Sequence, residues 1–127
     1  MNRAAILTAI CLSTATTAFA AGKHDHGHEH KPLHGGVVVE VKDMDYELVA
    51  RPDAIRLYVR DHGKPVEASK ATARLTLLAG AVKQEVVLTP AGDRLEAKGD
   101  FKVGPGTKAV AAVTYAGKGS TARFVLK

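Results

Sequence analysis

The sequence has no tryptophan, one cysteine and two methionines in 127 residues, and aromatic residues make up only 5% of it. Each scarcity removes options. The single thiol, Cys11, lies in an N-terminal stretch with the order of a cleaved export signal. The rest of the chain therefore holds neither a disulfide nor a thiolate metal site, and its stability has to come from an ordinary core. Met44 is the only thioether beyond that stretch, so a Cu(I) site of several sulfurs cannot be assembled within one molecule. No Gly-rich phosphate loop and no activated Ser-His or Cys-His arrangement is readable, and the chain reads as a non-enzyme. No segment is apolar for the about 20 residues that a membrane span needs. Basic residues outnumber acidic ones, 18 to 13, but they are scattered among the acids. That pattern marks a solvated surface rather than a nucleic-acid footprint.

Residues 1–20 carry a positive start at Arg3, an apolar stretch from Ala4 to Leu12 and small residues ending Ala18-Phe19-Ala20. This is the layout of a secretory signal peptide, and these residues are excluded from the fold. Ile10 stands before Cys11 where lipid attachment would want a small residue, so the cysteine is expected to leave with the signal. Cleavage after Ala20 is favoured, because a cut after Ala21 would put Phe19 three places before it. Only the Ala21 cut would open the chain with Gly22-Lys23-His24, whose amine, two amides and third-position imidazole bind Cu(II) or Ni(II) in a square plane.

What is present in abundance is histidine at the start of the exported chain. In Lys23-His24-Asp25-His26-Gly27-His28-Glu29-His30, four of the six histidines of the sequence fall at every second position. His24, His26, His28 and His30 project to one side of an extended chain, and in a helix 24 would pair with 28 and 26 with 30. Either conformation offers two or three imidazoles to one borderline divalent ion, with Asp25 and Glu29 adding oxygen or negative potential. Residues 21–33 have almost no apolar content and are expected to form a disordered tail. A tail must lose entropy to wrap an ion, so its selectivity should be loose. Without sulfur ligands the candidates are Cu(II), Zn(II) and Ni(II), with Cu(II) or Zn(II) foremost. A metal-bridged dimer of two tails is a further option, and a solubilising polar tail is the bland reading.

From Gly35-Gly36 onward, short apolar runs alternate with turn residues. Val37, Val39 and Val41 share one face of a first strand, and Ile55, Leu57 and Val59 alternate with Arg56, Tyr58 and Arg60, which predicts one buried and one wet face. Strands are also expected at 46–50, 73–79, 82–89, 94–98, 109–116 and 121–126. Turns are expected at 61–65, at Gly80-Ala81, at 90–93 and at 117–119. No segment keeps a helical period. Seven or eight short strands over 34–127 fit an all-β, antiparallel, immunoglobulin-like sandwich, with a small barrel as the alternative. Its core should be Val37, Val39, Leu48, Ile55, Leu57, Val59, Leu75, Leu77, Val86, Leu88, Val113, Phe124 and Leu126.

Two histidines lie outside the tract. Gly35-Gly36 either form only a hinge, or turn the backbone so that His34 lies against the sandwich. His62 sits in the Asp61-His62-Gly63 turn, as a solvated turn residue or as a ligand fixed to the folded domain. Both join the four tract histidines as candidate metal ligands. A flexible chain spans about 5–6 Å × √n, so His24 reaches less than roughly 20 Å from His34, and meets His62 only if that turn lies at the same end.

His34-Gly35-Gly36, Tyr46-Glu47-Leu48, Leu57-Tyr58-Val59 and Asp61-His62-Gly63-Lys64-Pro65-Val66 together resemble the small periplasmic proteins found with bacterial heavy-metal efflux systems. They are also similar to the amino-terminal domain of periplasmic adaptor subunits of heavy-metal exporters of the resistance-nodulation-division type. The likeness covers about 34–126. It implies a periplasmic β-sandwich that binds or passes on metal cations, with the exporter's adaptor as a possible partner. The coiled-coil hairpin, lipoyl-like segment and membrane-proximal domain of such adaptors have no counterpart here, which leaves a free-standing accessory or buffer. Periplasmic copper proteins that ligate through an N-terminal histidine are a neighbouring comparison, but a terminus at Ala21 does not reproduce their site. The competing expectation is a sandwich module for protein contact in an envelope complex, with an incidental polar tail.

Overall fold

The computed structural model describes residues 31–127. Strands β1 (Val37–Val41), β2 (Met44–Ala50) and β3 (Ala54–Asp61) form an antiparallel meander. The two-residue β4 (Lys64–Pro65) folds back onto the end of β3, and a 3₁₀ turn at Ala68–Lys70 leads into β5 (Ala71–Ala79). Then follow β6 (Val82–Ala91), β7 (Arg94–Lys98), β8 (Lys108–Tyr115) and β9 (Lys118–Val125). The domain is the expected antiparallel, immunoglobulin-like β-sandwich.

One layer carries β1, β2, β3 and β7, and the other carries β6, β5, β8 and β9. β6 belongs to both. Its residues up to Leu88 pair with β5, whereas Thr89, Pro90 and Ala91 pair with Glu96, Leu95 and Arg94 of β7. The sequence pattern put Pro90 in the following loop, because proline has no N–H for a ladder. It is tolerated where the strand changes partner, and the tight turn is confined to Gly92-Asp93. β1 and β9, at the two ends of the strand order, come into contact. No ladder joins them among the described residues, so the sandwich is nearly closed but is not a barrel.

Between the layers lie all thirteen expected core positions, with Val37 and Val39 only partly buried. Leu48, Ile55, Leu57, Leu75, Leu77 and Leu88 are fully enclosed. Ala71, Ala73, Ala109, Ala111 and Ala122 are buried beside them, together with Tyr46, Leu95 and Phe101, which the alternation did not single out. Small residues opposite large ones let the two layers interdigitate at close packing.

One expectation fails. The outer face of β2 and β3 is not wet: Asp45, Glu47, Val49, Tyr58 and Arg60 are buried there. The chain before β1, residues 31–36, is hydrogen-bonded across that face and shields it from solvent, so residues 31–33, expected in the disordered tail, are instead fastened to the domain by Arg60 and Glu47.

Candidate functional site

The strap formed by 31–36 is held by a buried ion pair. Glu47 has none of its surface exposed, although it sits mid-strand between Tyr46 and Leu48 on the face away from the core. Its Oε2 accepts hydrogen bonds from the backbone N–H of His34 at 2.8 Å and of Gly36 at 3.0 Å. Its Oε1 accepts from the N–H of Leu33 at 3.0 Å and from Nη1 of Arg60 at 3.1 Å. Arg60, 4% exposed, also donates through Nη2 to the carbonyl oxygen of Lys31 at 3.2 Å. Burial pushes the Glu47 carboxyl upward, but the N–H groups of Gly36, His34 and Leu33 and the Arg60 guanidinium outweigh it. The group is held below its ordinary value, and stays charged.

The strand register makes this arrangement. Glu47 lies opposite Tyr58 and Asp45 opposite Arg60 on β2 and β3, so Arg60 is the diagonal neighbour of Glu47 on the same face. The two glycines let the strap close. Gly35 has φ +75, and a Cβ on Gly36 would stand 2.4 Å from the carbonyl oxygen of Leu48. Only a residue without a side chain approaches the strand so closely.

His34 completes the clamp. Its imidazole stacks on the Tyr58 ring with centroids 3.6 Å apart and planes inclined by 10°. Of the two openings the sequence allowed, His34 takes the one in which it lies against the sandwich. The ring remains exposed at its edge, and no side-chain hydrogen bond engages it among the described residues. Farther across the same face, Glu96 Oε2 accepts from Nε of Arg56 at 2.7 Å and from Nε of Arg94 at 3.1 Å. These bonds, the Arg56 one first, hold the Glu96 carboxyl below its ordinary value.

His62 is elsewhere. It occupies the two-residue turn between β3 and β4 with φ 50, and its Nδ1 faces the Asp61 carboxylate at 2.5 Å. Tyr58, under His34, is four residues back along β3, which at about 3.3 Å per residue separates the two places by roughly 13 Å. The structure therefore does not gather His34 and His62 into one site. His24, His26, His28 and His30 lie outside the described residues. Among those described, no group of three or more His, Cys, Asp or Glu side chains is placed to hold a metal ion. A recess of about 310 Å³ beside the strap, lined by Gly36, Leu48, Arg51, Val103 and Leu126 among others, has no histidine or carboxylate side chain in its wall.

Glu47, Tyr58 and Arg60 were not singled out for a role by the sequence. A signal for them existed: an acid amid the apolar run Tyr46 to Val49, and an arginine at the matching depth of the next strand.

No family model matches the chain. No curated protein matches it either. Among solved structures, the crystal structure of a Br derivative of BhCBM56, a carbohydrate-binding module, is similar at 12% identity and a TM-score of 0.40, over 72% of this chain and 96% of that one. At that level of likeness it carries no argument about this protein.

Proposed function

We propose that the protein is a periplasmic metal-binding protein, exported through its 1–20 segment, that buffers or delivers divalent cations as an accessory to heavy-metal efflux. Cu(II) and Zn(II) are the leading ions, ahead of Ni(II). One observation carries the reading. The alternating histidines at 24, 26, 28 and 30 end one residue before Lys31, where the chain is tied to the domain through Arg60 and Glu47. A plain solubilising tail has no use for a root secured by a buried ion pair. A tract that presents metal at a defined place on a carrier does. Three of the four motifs behind the resemblance to efflux-associated proteins also meet in this clamp, as the glycine pair of the strap, Glu47 beneath it and Tyr58 under His34, while Asp61 to Val66 lies apart at the β3–β4 turn.

The test is calorimetric titration of the exported, mass-verified protein with Cu(II), Zn(II) and Ni(II), beside a variant with His24, His26, His28 and His30 all changed to Gln. Binding by the first that is lost or sharply weakened in the second is the expected result. Equal binding by the two would overturn the tract as the site, and no binding by either would overturn metal carriage.

The second reading is a protein-contact module. Val87 and Val125, on β6 and β9, are more than half exposed and favour it. Under that reading, deleting 21–33 leaves partner capture and metal tolerance unchanged.

A further inference from the structure

We infer that the end of the sandwich away from the strap holds a binding site for a small aromatic carboxylate, seated between the β1–β2 and β8–β9 hairpins. The site is separate from any metal chemistry, since no histidine lines it.

Strand alternation builds the site. Met44 and Tyr46 on β2, Tyr115 at the end of β8, and Lys118 and Ser120 on β9 all fall on the inward parity of their strands. Among the described residues no ladder joins β1 to β9 to close the layers over them. A recess of about 370 Å³ lies there, walled by these five residues and Lys42 among others. That is the size of a small-molecule pocket.

The donors in its wall are unspent. Tyr46 is the most buried of them, at 1% exposure, and its hydroxyl reaches only the Met44 sulfur, at 3.9 Å. A buried phenol ordinarily finds an oxygen or nitrogen partner, and a thioether is a weak acceptor. Among the described residues, no side-chain hydrogen bond engages Tyr115 or Ser120, and no ion pair engages Lys42 or Lys118. The one carboxylate in the wall, Asp61, faces Nδ1 of His62. The recess therefore offers three hydroxyls and two ammonium groups to an anionic acceptor. Its thioether and two phenol rings suit a flat apolar body. A carboxylate carried on an aromatic ring supplies both.

The backbone gives an independent sign. Lys42, Asp43, His62 and Ala116, the four non-glycine residues at positive φ among those described, lie in the three turns that bring Lys42, Asp61 and Ala116 to this wall. A left-handed lysine costs energy that asparagine or glycine largely avoids, and residues held in this way gather at ligand clamps.

The test titrates the exported protein with benzoate, and in parallel with benzamide and benzylammonium, by NMR. Met44 is the only methionine after Met1, so its methyl gives a single signal in the exported protein, read together with the Tyr46 and Tyr115 rings. Benzoate should move these signals along a saturating curve with a dissociation constant of about 1 mM or tighter. Tyr46→Phe, which keeps the ring and removes the hydroxyl, should weaken binding about tenfold. Lys42→Asn combined with Lys118→Gln should weaken it about threefold or more, as expected for exposed charges. Asparagine suits the left-handed position, both lysines are exposed, and urea unfolding verifies the fold of each variant, so the lysine arm stands even if Tyr46→Phe is destabilised. If benzoate leaves the three signals in place, or benzamide or benzylammonium moves them at the same concentrations, the recess is not a carboxylate site. If benzoate binds both variants as it binds the unmodified protein, it sits elsewhere and the inference falls.

Discussion

A carboxylate on the outer side of a β-sheet is ordinarily a solubility device. Glu47 is instead enclosed, and it accepts hydrogen bonds from three backbone N–H groups and one guanidinium. Removing one partner of such a pair leaves the other buried without compensation, which costs about 3–5 kcal/mol. For Glu47→Gln the cost should fall at the low end of that range, because the strap can lift and let water reach Arg60. Hydrogen exchange gives the local signature: the amides of Leu33, His34 and Gly36 should lose protection while those of β5 and β8 keep theirs. The pH dependence has a definite sign. The folded pKa of Glu47 lies below the ordinary 4.5, so the carboxylate's contribution is fully present above that value. It is lost as pH falls through the folded pKa. The stability gap between the unmodified protein and Glu47→Gln should therefore be constant from neutral pH down to about 5 and shrink below it, as protonated Glu47 comes to resemble glutamine. Urea unfolding at a series of pH values measures that gap, and a gap that did not narrow in acid would show that the charge is not what holds the strap.

Among the elements, the hairpin turns differ in how well their residues suit them. The turns after β3 and β8 have a non-glycine followed by Gly, His62-Gly63 and Ala116-Gly117, all at positive φ. The turn after β1 places Lys42 at φ 50 and Asp43 at φ 65, with no glycine at all. Two consecutive left-handed residues fit the right-handed twist of a hairpin, but lysine there costs about 1–2 kcal/mol that glycine or asparagine largely avoids. Replacing Lys42-Asp43 by Asn-Gly should stabilise the domain by about 1 kcal/mol without moving β1 or β2, read as a higher urea midpoint at unchanged slope. Most of this architecture was legible because strands have period two and turns have marked residues: β1 and β7 fall at their expected bounds, and Ile55, Leu57 and Val59 face the core as the alternation requires. What escaped depends on partners distant in sequence. Alternation assigns Tyr58 and Arg60 to water, and only the docked strap reverses that. Pro90 looks like a strand terminator until β7 is present to receive the end of β6. The clamp could not be read for the same reason, since Glu47 and Gly36 become neighbours only through the register of β1 on β2.

At the scale of the whole molecule, β6 makes the two layers one unit, because it carries backbone pairing from β5 into β7. Neither layer can open without breaking β6 or the shared core, so the sandwich should unfold as a single cooperative transition. Strap, clamp and core then report to one melting temperature, and this separates a tail that binds metal by itself from one that binds against the domain. An ion held by the tract alone binds the folded and unfolded chains alike, and shifts nothing. An ion that uses His34 on its Tyr58 platform binds the folded chain better. It raises stability by up to about 2.7 kcal/mol at a free concentration one hundred times the dissociation constant, less whatever affinity the unfolded tract retains. For a domain of this size each kcal/mol moves the midpoint by about 4–8 °C. Excess Zn(II) should therefore raise the melting temperature of the unmodified protein by several degrees at neutral pH. The rise should vanish in His34→Gln even where the tract still binds the ion. An equal rise in both proteins would place the coupling between metal and fold somewhere other than His34.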